Sequence, residues 1–464
     1  MILPLDRFGA IIDTAAKLTW SPPQLAEAVA ARTDELRRLD AGPGKVVAIT
    51  HGGCAAFFAD LFAVWSTGAA AACLDPALTD MERENVIAFC KPIAVLSENG
   101  ITGRDAPRTI ANAEDLEAPA LILFTSGTTG APKGVVLPFR AILARLALNQ
   151  YEIGRATMAR TLVTLPTHFG HGLIGNALTP LSAGCDIVIV PRGLSLAQTL
   201  GPLVDQHGIT FLSSVPSLWQ MALRMSPRPK NGTLKRVHIG SAPLSATLWS
   251  RIAEWAGVEV VNCYGITETA NWIGGISSKA HAPADGLIGK PWGGTAGVRD
   301  EQGTIRTQGS GEIVVQTPSL MSGYLDRPDL TAAVLRDGWY ATGDLGEVDA
   351  ESNIRLTGRA KDEINRAGFK VQPAEIDMLL ESHPAIAEAC VFGAPDTISG
   401  EIVAAAIRLS AGAAEDAASL RDWCLKRLRR EATPERWFFV DEIPKTSRGK
   451  VSRDVVRNTL IKRP

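Results

Sequence analysis

Little in this chain points toward a membrane, a nucleic acid or a metal cage. Its richest apolar window, LFAVWSTGAAAACL, is interrupted by Ser66, Thr67 and Gly68 and is short for a membrane span. The stretch MILPLDRFGAIIDTAAKLTW lacks a basic start followed by a long apolar core, so a secretory signal peptide is not expected. Neither sign of charge is in excess: 47 Lys and Arg stand against 49 Asp and Glu, for a net charge of −2. Bulk electrostatics therefore give no reason to expect nucleic acid or an anionic bilayer as partner. The seven cysteines (54, 73, 90, 185, 263, 390 and 424) are scattered, odd in number and never spaced as CxxC. That usage fits a reducing cytoplasm and argues against a zinc site. Internal repeats and low-complexity tracts are absent as well.

At 464 residues, the chain exceeds the size at which one hydrophobic core stops growing, so two or more domains are expected. Ser21-Pro22-Pro23 offers a cap and first-turn prolines, and Leu25, Val29, Leu36 and Leu39 recur at helical spacing up to Gly42-Pro43-Gly44. Strands are expected at 45–50, 94–96, 121–124, 187–190 and 258–261, with a buried helix over 54–67. This alternation predicts α/β layers with largely parallel sheets. Residues 300–356 change texture to short strands with frequent Gly and Asp, which reads as a small β-rich subdomain. Beyond Arg359 a compact α+β pattern resumes. It has a helix over 375–381, strands at 389–392 and 403–409, a surface loop at 411–418 and an amphipathic helix over 419–430. The expected division is a large N-terminal α/β domain, 1–358, and a small α+β C-terminal domain, 359–464.

One stretch carries chemistry. After the apolar run Leu121–Phe124 come Thr125-Ser126-Gly127-Thr128-Thr129-Gly130-Ala131-Pro132-Lys133-Gly134. Glycines let backbone N–H groups approach an anion, hydroxyls add donors, and a lysine supplies charge, so the decapeptide reads as a phosphate cradle. It is not a Walker A loop, because Gly134 follows Lys133 where that pattern needs Ser or Thr. The alternative is a flexible polar loop between strands.

SGTTGAPKG resembles the phosphate-loop signature of the adenylate-forming superfamily, which includes acyl-CoA synthetases and stand-alone adenylation enzymes. Further segments stand in that family's order, although each alone is equally a turn or a helix cap. Asn262-Cys263-Tyr264-Gly265-Ile266-Thr267-Glu268 resembles its second signature. That resemblance implies Tyr264 against adenine, Asn262 on the adenine amine, Gly265 beside them, Thr267 on the α-phosphate and Glu268 on Mg²⁺. Gly240-Ser241-Ala242 resembles the adenine-side loop. In Tyr340-Ala341-Thr342-Gly343-Asp344, the resemblance makes Asp344 the acceptor of both ribose hydroxyls. Gly358-Arg359-Ala360-Lys361-Asp362 resembles the domain junction, with Arg359 on ribose or phosphate and Lys361 as hinge. Pro444-Lys445-Thr446-Ser447-Arg448-Gly449-Lys450 matches the final motif, which makes Lys450 the adenylation lysine. Gly368 would line a thiol tunnel.

The implied reaction is attack of a carboxylate on the α-phosphorus of ATP, with Mg²⁺, to give an acyl-adenylate and pyrophosphate. A swing of the C-terminal domain would then admit the thiol of coenzyme A. A carrier-protein phosphopantetheine thiol is an alternative acceptor, and a catalytically silent nucleotide-binding member is a third reading. In the acyl-pocket segment Leu165–Leu173, His168 and His171 are candidate pocket residues; packing beside a turn is their other reading. No aspartate stands there to hold an ammonium, which disfavours an α-amino acid substrate. Gly265 occupies the place where acetate-specific relatives carry a tryptophan, so the pocket need not stop there. Trp272 either shortens the pocket or is a buried framework residue.

Overall fold

Four β-sheets organise the chain in the computed structural model, which describes residues 4–110, 115–125, 133–366, 369–445 and 451–461. Local signals start the first helix where expected. It runs Pro22–Arg38, Gln24 Oε1 accepts the Ser21 N–H at 2.9 Å, and Leu25, Val29, Thr33 and Leu36 form its buried stripe.

The first sheet has eight strands, in the order Asn271–Ser277, Glu259–Ile266, Arg236–Ile239, Phe211–Ser214, Arg160–Val163, Asp186–Ile189, Ile11–Asp13 and Leu18–Trp20. The inner six are parallel and each edge strand is antiparallel. Side chains alternate between faces. Leu162, Val188, Leu212, Val237 and Val260 pack against the helices Leu194–His207, Pro216–Met225 and Ala246–Ala256, while Val163, Ile187 and Ile189 join the core on the other side. Burial on both faces is what makes these strands short unbroken apolar runs.

The second sheet has seven strands, in the order Gly323–Tyr324, Lys133–Pro138, Pro119–Thr125, Ala70–Cys73, Val46–Ile49, Ala94–Ser97 and Gly100–Gly103. Its central four strands are parallel. The helix Ala55–Thr67 covers it and buries Phe57, Phe58, Phe62 and Trp65. The third sheet is antiparallel and runs through Leu287–Gly289, Thr295–Arg299, Gly309–Gln316, Trp339–Val348 and Ile354–Arg359. The β-rich texture therefore begins near residue 287, earlier than the sequence suggested. Arg359 is still its last paired residue, opposite Asp344.

The fourth sheet lies beyond the turn Ala360–Asp362. Its long hairpin, Ile386–Asp396 with Gly400–Leu409, is wider than the expected strands at 389–392 and 403–409. Val391, Val403, Ala405 and Ile407 face the helices Pro373–Glu381 and Ala417–Leu425. Cys390, Phe392, Ala404 and Ala406 face the last helix, Arg453–Ile461. The helix expected over 419–430 is shorter and starts earlier, because Asp416 caps it by accepting the Ser419 N–H at 2.8 Å. A large mixed α/β region is thus followed by a small α+β unit. Among the described residues no helix is long and apolar enough to cross a membrane.

Candidate active site

Parallel strands send their carboxyl ends to one edge of a sheet, where open α/β folds bind ligands. In the first sheet Ser214, Ile239 and Ile266 end there, and the signature segments follow directly. The strand Glu259–Ile266 crosses Asn271–Ser277 with a register slip between Tyr264 and Gly265. A Cβ on Gly265 would stand 2.3 Å from the Asn271 carbonyl oxygen. The absent side chain at 265 therefore serves a close backbone crossing. Thr267 and Glu268 then sit half-buried in a single tight turn, Thr267–Thr269.

Glu268 is held from the second sheet. Tyr324 Oη donates to Glu268 Oε1 at 2.8 Å and lies 3.2 Å from Tyr340 Oη. Burial raises the Tyr324 phenol above its ordinary range, and the Glu268 charge adds to this, so Tyr324 stays a donor. Lys133 Nζ stands 5.7 Å from the Tyr324 ring centroid. Lys133 also pairs with Thr125 across the strands Pro119–Thr125 and Lys133–Pro138. The two feet of the glycine-hydroxyl segment are thereby brought beside Glu268. Ser126, Gly127, Thr128, Thr129 and Gly130 lie outside the described residues.

Three distant segments meet at Asp344. Its Oδ2 accepts from Tyr264 Oη at 2.5 Å, and its Oδ1 pairs with Arg359 Nε at 2.8 Å. The carboxylate is buried, whereas the arginine side chain is half-exposed. Burial, and then the Asp344 charge, lifts the Tyr264 phenol well above its usual value. The charge of the same carboxylate raises Arg359. Asn262 is buried close by in sequence and donates through Nδ2 to the Leu287 carbonyl at 2.9 Å.

On the other flank, His171 opens a π-helix, His171–Leu178, in which the Thr179 N–H reaches back to the Ile174 carbonyl. A Cβ on Gly172 would lie 1.9 Å from the Pro166 carbonyl oxygen, so the glycine lets this turn close onto the preceding segment. His171 bridges two hydroxyls: Nδ1 is 2.7 Å from Ser241 Oγ and Nε2 is 2.7 Å from Ser213 Oγ. It thus ties the segment 165–173 to the loop of Gly240, Ser241 and Ala242, in which Ser241 adopts φ +68°. Gly240 donates its N–H to the Ser214 carbonyl at 3.1 Å. Trp272 is fully buried against His171, His238 and Trp292, the framework alternative of its sequence reading. His168 is also buried and lies 3.3 Å from Asp75, and this contact holds the Asp75 carboxyl down at about 2. Lys361 is exposed within the turn Ala360–Asp362. Gly368 and Lys450 lie outside the described residues.

Sequence reasoning missed Tyr324 and Ser213. A signal for Tyr324 existed: the chain has only four tyrosines, and three of them, 264, 324 and 340, gather at this site.

A family model described as AMP-binding enzyme matches residues 7–325, and one described as AMP-binding enzyme C-terminal domain matches residues 375–450. This chain belongs to the AMP-binding enzyme family. Similar proteins include an oxalate–CoA ligase of Arabidopsis thaliana, 31% identical over 351 residues, which are 74% of this chain and 68% of that protein. A sulfoacetate–CoA ligase of Cupriavidus necator is 35% identical over 345 residues, 73% of this chain and 66% of that protein. Among solved structures, the o-succinylbenzoate CoA synthetase of Bacillus subtilis in complex with its acyl-adenylate intermediate superposes with a TM-score of 0.85. It is 26% identical and covers 99% of this chain and 96% of that one. The AMP-binding enzyme match ends at residue 325, so Asp344 and Arg359 fall between the two models. The structure nonetheless joins them to Tyr264, which lies inside the first.

Proposed function

We propose that this AMP-binding enzyme is an acid–thiol ligase that uses ATP to convert a carboxylic acid to its acyl-adenylate, releases pyrophosphate and passes the acyl group to coenzyme A. The observation that carries the reading is the junction at Asp344. A buried carboxylate held by Tyr264 and Arg359 offers two oxygens that would accept from a pair of vicinal hydroxyls, as a ribose presents.

The chemical difficulty is anion meeting anion. Thr125, Lys133 and the hydroxyl-glycine segment between them would bind the terminal phosphates. Thr267 would donate to the α-phosphate, and Lys450 would stand between the attacking carboxylate and that phosphate. The adenine would lie against Tyr264 and the loop of Gly240, Ser241 and Ala242, with Asn262 at its amine. The C-terminal unit, from 359 onward, would rotate about Lys361, bringing Gly368 to the thiol path in place of Lys450.

Among the described residues no group of three His, Cys, Asp or Glu side chains could cage a metal. A single carboxylate, Glu268, fits Mg²⁺, which keeps waters and phosphate oxygens as its other ligands. When bound there, Mg²⁺ would neutralise charge on the triphosphate. Glu268 would supply the fixed oxygen and Tyr324 would hold it in place.

A carrier-protein thiol is a second acceptor reading. It is supported by a 34% identical fatty acid–acyl-carrier-protein ligase of Streptomyces coeruleorubidus, which this chain matches over 67% of its length. The test is pyrophosphate release with acetate, oxalate, sulfoacetate, butyrate, octanoate, succinate and benzoate, each with CoA or a holo carrier protein. Acid-dependent release followed by CoA consumption is expected. Release with no thioester on CoA but acylated carrier would move the acceptor to the carrier. No release with any acid, while ATP still binds, would leave a silent nucleotide-binding member.

A further inference from the structure

Just beyond the Thr267 turn stands a buried amide that the reaction scheme leaves unexplained. The chain leaves the turn Thr267–Thr269 through two residues of positive φ, Ala270 at +56° and Asn271 at +120°. Asparagine tolerates the left-handed well near +60°, but +120° lies outside it, and a backbone so placed is held there at a cost. The surroundings impose it. Thr269 Oγ1 donates to the Asn271 carbonyl at 2.9 Å, and the same carbonyl fills the space that the missing side chain of Gly265 leaves. The strained backbone sets the direction of the Asn271 side chain. That residue is only 4% exposed, and its Nδ2, which carries two N–H donors, is buried with no acceptor among the described residues.

The amide points at the π-helix His171–Leu178. A Cβ on Gly175 would stand 2.0 Å from Asn271 Nδ2 and 3.2 Å from Trp272 Cη2, so the absent side chain at 175 is what leaves the amide its place. Gly175 follows His171 by about one π turn, and such turns recur at functional sites. Polar atoms without partners continue behind it. Trp272 Nε1 and both ring nitrogens of His238 are also buried with none among the described residues, and the two rings are 4.9 Å apart. Native interiors leave few such groups, and each one calls for an explanation.

The position of the amide supplies one. Asn271 pairs with Ile266 across the crossing strands, directly beside Thr267. Paired Cα atoms on antiparallel strands are about 5 Å apart. With Thr267 at the α-phosphate, an acyl group joined to that phosphate begins within a few bonds of Asn271 Nδ2. We propose that Asn271 is a specificity-determining residue whose amide donates to a second oxygen on the acid, so that the preferred substrates are short acids with an acceptor oxygen on the first or second carbon beyond the carboxyl group. The inference rests on the assignment of Thr267 made above. A hydrocarbon tail in this place would leave the amide buried and unpaired, whereas an acceptor acid satisfies it. A site built to bond a substrate's polar atom discriminates far better than an apolar pocket does.

The experiment compares kcat/KM for pyrophosphate release in two sets of acids, each set sharing one carbon–oxygen skeleton. Isobutyrate, pyruvate and oxalate form the first set; isovalerate, acetoacetate and malonate form the second. Within a set, methyl groups give way to oxygens, neutral in the keto acid and charged in the diacid, so the arms also tell which kind of acceptor is held. The parent protein is expected to favour an acceptor acid over its hydrocarbon counterpart by about 10-fold or more. Asn271→Gly removes the amide and suits the positive φ. It is expected to cut that preference by about 10- to 100-fold, with AMP affinity in calorimetry within about twofold of the parent. A merely structural Asn271 would lower all the acids together and leave the preference as it was, and that result would overturn the proposal. So would a parent protein that favours isobutyrate and isovalerate over all four acceptor acids, a measurement that needs no variant to fold. If the parent releases pyrophosphate with no acid, the ligase reading fails separately. Calorimetry of the same acids on the AMP-loaded protein then decides: tighter binding of acceptor acids that Asn271→Gly abolishes supports the amide's role, and equal binding of acceptor and hydrocarbon acids refutes it.

Discussion

Replacing Tyr324 by Phe removes one oxygen and tests whether Glu268 is a metal ligand. The ring would remain, so the contact 5.7 Å below Lys133 Nζ and the pairing of Gly323–Tyr324 with Val135 and Val136 would persist. Two hydrogen bonds would be lost, 2.8 Å to Glu268 and 3.2 Å to Tyr340. In the parent protein the carboxylate is already ordered before any ligand arrives. In the variant its rotamers must be frozen when the cation binds, and fixing a glutamate side chain costs about 1–2 kcal/mol. That corresponds to a rise of about 5- to 30-fold in the Mg²⁺ concentration for half-maximal rate. The assay is pyrophosphate release at fixed saturating ATP and acid, titrated with MgCl₂. The shift should appear in Mg²⁺ dependence while kcat at saturating Mg²⁺ stays within a few-fold, because the carboxylate itself is kept. An unchanged Mg²⁺ midpoint in a folded variant would refute the claim that Tyr324 pre-orders a metal-binding carboxylate. A fall in kcat alone would place Glu268 in a different role.

Asp344→Asn should weaken AMP binding by about 10- to 100-fold in calorimetry, since charge-assisted hydrogen bonds are worth about 1.5–3 kcal/mol and the Arg359 pairing is lost as well. Equal AMP affinity in parent and variant would remove Asp344 from the nucleotide site. His51 and Asp60 form a buried pair at 2.7 Å, with Arg32 on the other carboxylate oxygen at 2.7 Å. Burial alone would lower the His51 pKa, but the Asp60 hydrogen bond and charge outweigh it and raise it from 6.5 to about 9. A raised folded pKa gives a contribution that is complete below the unfolded value near 6.5 and is lost as pH rises through about 9. Asp60→Asn should therefore lower Tm most at pH 6 and least at pH 10; a deficit that does not shrink with pH would show that His51 is not protonated in the fold.

The part of the fold legible in the sequence is the part with strong local contrast. Apolar runs bounded by glycine gave the strands at Val46–Ile49, Pro119–Thr125 and Asp186–Ile189, and a 3.6-residue stripe gave the helix Pro22–Arg38. The strand Ala70–Cys73 was not read, because alanine has little β preference and its extended shape comes from pairing with Val46–Ile49 and Leu121–Leu123. Phe211–Ser214 and Arg236–Ile239 escaped for a related reason: four residues buried on both faces carry no period of two. The long hairpin was underestimated because its ends, Gly393–Asp396 and Gly400–Glu401, are held by cross-strand register and consist of residues of low strand preference.

The site divides along the same physical line. The residues that the family resemblance assigns to phosphate or ribose come as contiguous words, so the resemblance pointed to Thr267, Glu268, Asp344 and Arg359. Residues that hold those groups in place act across the fold and leave no word. Tyr324 reaches Glu268 from 56 positions away and His171 reaches Ser241 from 70 positions away, in each case because different strands end at the same place. Gly265 shows the converse. It stands within a recognisable word, yet its missing side chain is demanded by a backbone crossing on the neighbouring strand, where the Asn271 carbonyl oxygen lies 2.3 Å from where a Cβ would stand. On the proposed reading, an acyl chain entering beside His171 would meet the framework rings Trp272, His238 and Trp292, which touch one another with centroids 4.9–5.9 Å apart. Aromatic rings so closely packed leave an acyl chain no path between them without displacing one, and interiors at that density resist such displacement. The acids turned over fastest in the panel should accordingly be the short ones, with octanoate far behind acetate or oxalate.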